Sequence, residues 1–92
     1  MSLRTLILAF LAARSPASFP AEVIHARISQ SGFLDKEVTV DSVTSELRTL
    51  ATAKMGELVN VDIHPVTKGE SWWATDAGVK RWTLDGRMNV GG

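Results

Sequence analysis

Residues 40–55, VDSVTSELRTLATAKM, lead without a long loop into 57–63, ELVNVDI, and then into 71–78, SWWATDAG. In the first stretch Val40, Val43, Leu47, Leu50 and Ala51 recur at spacings of 3, 4, 3 and 1, the stripe of an amphipathic helix. Thr39 or Asp41 is placed to cap its start, and Gly56 to stop it. The opposite face carries Ser42, Ser45, Glu46, Arg48, Thr49 and Thr52, mostly small hydrogen-bonding side chains. The second stretch alternates, with Val59, Val61 and Ile63 on one side and Leu58, Asn60 and Asp62 on the other. His64-Pro65 fits a strand edge or bulge, and Thr67-Lys68-Gly69-Glu70 a turn with Gly69 free to take φ > 0. Ser71 to Thr75 returns as the partner strand, with Trp72 and Ala74 inward and Trp73 outward unless a bulge swaps them, and Thr75 or Asp76 caps a last helix.

Upstream, Leu3, Leu6, Ile7, Phe10 and Leu11 follow the i, i+3, i+4, i+7, i+8 rule over a first helix at Ser2–Ala13, with Ser2 as its N-cap. Leu8 and Ala9 fall off that stripe, which leaves two readings of the helix: burial between other helices, or a second face that forms a dimer. Met1 to Ala13 also has the outline of a signal peptide, but the apolar run Leu6–Ala13 is short and Arg14 interrupts it, so a retained core helix is expected. Ser15-Pro16 breaks the helix. Ala17-Ser18-Phe19 is long enough for a very short strand beside the hairpin. Pro20 suits the first turn of a second helix, with Val23, Ile24 and Ile28 facing inward and Ser31-Gly32 ending it. Phe33 to Thr39 connects it to the third helix. The last helix holds Val79, Trp82 and Leu84 and ends at Gly86, leaving residues 87–92 as a flexible tail after a single domain at 1–86.

Composition narrows the function classes. The chain of 92 residues is 45% apolar, enough for one small core. It has no cysteine, so disulfides and thiolate metal sites are excluded. Net charge is zero, and from Asp41 onward six Lys/Arg stand against seven Asp/Glu, so no bulk charge draws the chain to nucleic acid. His25 and His64 lie on different elements without ligand spacing, and no metal site is expected. No catalytic residue can be named: there is no Ser/His/Asp arrangement, glycine-rich phosphate loop or carboxylate pair, and no cofactor is called for. A non-enzymatic, cytoplasmic protein is expected.

The order helix, short strand, helix, helix, hairpin, helix, together with WWATDAGVKR at 72–81, resembles the winged helix-turn-helix superfamily, in particular small bacterial and phage regulators. There an aromatic strand enters a Thr-x-x-Gly helix start, as at Thr75 to Gly78, where Thr75 and Asp76 offer oxygens to free N–H groups and Gly78 lets the last helix approach the hairpin closely. The resemblance implies an α+β fold, a three-helix core with a β-hairpin wing and a short C-terminal helix. It implies binding of double-stranded DNA in transcription regulation. Carried over residue by residue, Ser42, Ser45, Arg48, Thr49 and Thr52 form the reading face, with Lys54 and Lys68 on phosphates. Arg48 is the first choice for a base contact, because a guanidinium pairs bidentately with guanine. A homodimer would meet through Leu8, Trp73 and Trp82. Three features depart from the pattern: Ala74 stands where a larger aliphatic is common, the connection before the third helix is long, and the wing carries only Lys68 as a firm positive charge. The rival expectation is a winged helix used as a protein-interaction or assembly adaptor, which suits the zero charge, the acidic hairpin residues Glu57, Asp62 and Glu70, and the apolar first helix.

Overall fold

The computed structural model of the chain describes residues 2–32 and 38–91, with side chains described as far as Thr83. The fold is α+β, with four helices and a two-stranded antiparallel hairpin: α1 (Leu3–Ala13), α2 (Ala21–Gln30), α3 (Val40–Leu50), β1 (Val59–Ile63), β2 (Glu70–Ala74) and α4 (Asp76–Gly91). A single 3-10 turn, Ala53–Met55, joins α3 to the hairpin.

α1 is the centre of the body. Leu6, Ile7, Leu8, Phe10 and Leu11 are all buried, and the helix touches α2, α3, α4 and β2. An apolar circumference this wide is what a helix surrounded by others requires. Burial, not a dimer face, is therefore the reading of α1 that holds. Leu8 is 8% exposed and lies under α4, so it is withdrawn from the partner surface. α2 buries Ala21, Ile24 and Ile28. Val23, expected inward, is exposed, because a step of one residue turns it about 100° from the Ile24–Ile28 row. α3 buries Val43, Leu47 and Leu50, with Val40 and Ala51 at the margins. The Thr39 hydroxyl caps α3 by accepting from Ser42 N–H at 3.1 Å. Of the connection expected from Phe33 to Thr39, residues 33–37 lie outside the described ones.

β1 and β2 pair from Val59↔Ala74 to Ile63↔Glu70. On β2's far side Phe19 and Trp72 exchange both backbone bonds, at 2.9 and 2.8 Å, so a one-residue strand lies beside the hairpin. Trp72 and Ala74 face inward as the alternation predicts. On β1 the inward row fades outward: Val59 is buried, Val61 half-buried and Ile63 exposed. Leu58 is buried although the alternation puts it outward, because it precedes the strand and lies beneath α4.

Three boundaries differ from the sequence reading. α3 ends at Leu50, and Thr52 has already turned extended, so Gly56 closes the 3-10 turn (φ 90°) instead of the helix. In the hairpin turn the positive φ falls on Lys68 (62°), not on Gly69. α4 runs helical through Gly86 to Gly91, where an end at Gly86 and a tail were expected; a glycine inside a helix costs only about 1 kcal/mol against alanine and need not end it. Leu84's side chain lies outside the described residues.

Candidate nucleic-acid interface

α3 is held from one side only. Its buried row Val43, Leu47, Leu50 leaves the opposite side to solvent, where Ser42, Ser45 and Arg48 are exposed and Thr49 is half-buried. Several hydroxyls are turned back on the backbone: Thr49 donates to Ser45 C=O at 3.0 Å and Thr52 to Thr49 C=O at 2.7 Å. Ser42 shares a hydroxyl bond with Thr39 at 3.0 Å. These oxygens keep acceptor capacity toward a partner, and the hydroxyl protons of Thr49 and Thr52 are occupied.

Arg48 is the one cation within α3, and it is engaged. Its Nη2 donates to Glu70 Oε1 at 3.1 Å, and its guanidinium lies 5.8 Å from the Trp72 ring centroid. The ion pair crosses from α3 to β2, so it fixes the hairpin against the helix. Both side chains are substantially exposed, which limits the pair to about 1 kcal/mol or less. Glu46, two residues before Arg48, accepts instead from Arg4 Nε of α1 at 2.8 Å.

The remaining expected contacts scatter. Thr52 and Lys54 lie past the end of α3, Lys54 in the 3-10 turn, both exposed. Lys68 is exposed in the hairpin turn. An open groove of about 500 Å³ runs between that turn (His64, Lys68, Glu70), the start of α2 (Glu22) and Thr44 of α3, with Trp72 beneath. Its charges are mixed, and Glu22 and Glu70 offset Lys68. The structure thus brings Ser42, Ser45, Arg48 and Thr49 onto one surface beside the hairpin, and leaves Thr52 and Lys54 apart from the helix.

Of the three residues of the expected partner surface, Leu8 drops out. Leu8 is core. Trp82 is half-buried and packs against the core. Trp73 points to the face opposite Trp72 and is half-buried, with its indole N–H covered and lacking a hydrogen-bond partner among the described residues. The outer edge of β1 is blunted near its start. Val59 is 1% exposed, and Asn60 Oδ1 takes the Val61 N–H at 2.8 Å.

Sequence reasoning missed two participants, Glu70 as the partner of Arg48 and Arg4 as the partner of Glu46. They stand 22 and 42 residues away in the chain, and no local spacing signals them. Among the described residues no group of three or more His, Cys, Asp or Glu could hold a metal, and no helix is long and apolar enough to cross a membrane. No protein-family model, curated protein or solved structure matches the chain.

Proposed function

We propose that the protein is a winged-helix DNA-binding protein of the cytoplasm, a transcriptional regulator of bacterial or phage type acting as a homodimer. The observation that carries this reading is the solvent side of α3. Ser42, Ser45 and Arg48 stand one helical turn apart on a helix anchored by three fully buried residues. The hairpin beside it ends in Lys68. A rigid helix offering small acceptors and one guanidinium is what entry into a major groove needs, with the hairpin as a second contact. Arg48 would exchange Glu70 for a base edge or a phosphate, a swap that the low worth of an exposed pair permits. Two copies would meet through Trp73 and Trp82.

A fluorescence-anisotropy titration of mixed-sequence duplex across salt tests the reading. Binding should weaken steeply between about 50 and 200 mM salt, and Arg48→Ala should lower affinity by about 1–3 kcal/mol. An adaptor built on the same body is favoured by one observation: Glu70 already neutralises Arg48, in a chain whose net charge is zero. No retention on duplex at low salt would select the adaptor and reject the regulator.

A further inference from the structure

The turn between β1 and β2 is closed by a side chain that can change charge. His64 Nδ1 accepts two backbone N–H groups, those of Val66 and Thr67, each at 3.2 Å. The backbone of His64 completes the loop: its N–H donates to Gly69 C=O at 2.8 Å, and its C=O accepts from Lys68 N–H at 2.9 Å. Gly69 N–H in turn is held by the Thr67 hydroxyl at 3.2 Å. No residue of the tip is buried. His64, Pro65, Val66, Thr67 and Lys68 are all exposed, Val66 to 80%. The order of the tip therefore rests on local hydrogen bonds, and two of them end on one imidazole nitrogen.

An imidazole nitrogen accepts only while it carries a lone pair. The two bonds fix the neutral tautomer with its proton on Nε2. A proton on Nδ1 turns the acceptor into a donor that faces two other donors, and both bonds are lost. We propose that His64 is a pH-sensitive latch of the hairpin tip, closed when the ring is neutral and open when it is protonated. The sign follows from which form makes the bonds: order at Val66 and Thr67 is present while the ring is neutral and is lost as acid protonates it. The exposed ring exchanges its proton with water directly, so no other part of the fold has to open.

The charged groups around the ring come from three elements. Lys68 and Glu70 lie on the hairpin itself, with Asp62 two residues before His64, and Glu22 of α2 lines the same groove as His64. Arg48 of α3 reaches this cluster only through its bond to Glu70. Cations and carboxylates are mixed here, so the bonds to Nδ1 set the direction of the switch. The latch stands independently of whether the hairpin touches DNA or a protein.

Amide exchange and ring ¹⁵N shifts of the labelled full-length chain, measured by NMR between about pH 5 and 8, test the latch. After correction for intrinsic exchange, protection at Val66 and Thr67 should fall roughly tenfold toward acid, as the loss of two such bonds implies. Leu58 and Trp72, whose amides bond to Leu50 and Phe19, should hold their protection. His64→Asn is the decisive variant, because an Asn oxygen can accept from the same two amides and does not titrate. It should keep the protection and abolish its pH dependence, whereas His64→Ala should lose protection at every pH. A ring protonated on Nδ1 at neutral pH overturns the proposal. So does a wild-type response no larger at Val66 and Thr67 than at the control amides, or an equal response in His64→Asn.

Discussion

The two ends of the hairpin are held by opposite means. At its base, Gly78 of α4 sits so close to Leu58 that a Cβ would lie 2.0 Å from the Leu58 carbonyl oxygen and 3.4 Å from Leu8 Cδ1. Thr75 ties the same junction. Its hydroxyl donates to Glu57 C=O at 2.7 Å and accepts from Gly78 N–H at 3.1 Å, and its own N–H bonds Leu58 C=O at 3.1 Å. Three elements that are far apart in sequence meet there. At the tip, Ile63 and Val66 are exposed and every hydrogen bond is local. The base is thus fixed by packing between distant parts of the chain, and the tip by the chemistry of six consecutive residues. A contact surface that combines the tip with α3 joins a rigid part to one that can change shape alone.

The sharpest way to break this contrast is Gly78→Ala. Alanine ordinarily favours a helix, but here the new methyl meets backbone and not a side chain that can move away. Destabilisation of roughly 3 kcal/mol or more is expected, at the upper end of overpacking costs. Urea unfolding followed by tryptophan fluorescence reads it. Gly69→Ala is the matched change at the tip, where the nearest atom is the Thr67 hydroxyl at 3.3 Å, and it should cost under about 1 kcal/mol. Equal losses at the two sites would remove the distinction between base and tip.

Thr75→Ala comes next. It removes the N-cap of α4 and the bond to Glu57 together, an expected loss of about 1–2 kcal/mol in the same unfolding assay. Thr75→Ser should restore most of it, since the hydroxyl makes both bonds. Failure of serine to rescue would mean that the threonine methyl, and not the cap, holds the junction.

How far the sequence revealed this contrast follows from the same division. The Thr75 cap and the close approach at Gly78 were legible, because a cap residue three positions before a glycine is a local pattern with a physical reason. So were the inward Trp72 and the short strand at Phe19, which follow from alternation and from the break at Pro16. The solvent side of α3 was legible as far as Thr49, where a period of 3.6 residues still applies. Beyond it Thr52 was assigned to the helix, yet its hydroxyl bonds Thr49 C=O and the backbone there is already extended. The positive φ at Lys68 was assigned to Gly69, since propensity alone favours glycine and the His64 bonds that shape the turn were not apparent. Leu8 was placed on a partner surface because it falls off a single stripe. That a small α4 face, made small by Gly78, comes down on it is a tertiary fact. The residue types of the site were readable, and their pairings were not.

The smallest change in stability carries the most information about function. Glu70→Gln removes the carboxylate that binds Arg48 at the boundary between the fixed helix and the hairpin. An exposed pair of this kind is worth little, so stability should change by no more than about 1 kcal/mol, and the buried Trp72 should keep its fluorescence. The effect on binding separates the two readings. If Arg48 contacts DNA, it must first leave Glu70, and a bound phosphate also meets a repelling carboxylate. Removing that charge should then tighten duplex binding several-fold at low salt, with a steeper salt dependence. If the surface serves a protein partner that uses the ion pair as a unit, Glu70→Gln leaves DNA binding absent. The same outcome for Arg48→Ala and Glu70→Gln, both weakening duplex binding, would show that Glu70 positions the guanidinium for contact and does not compete with it.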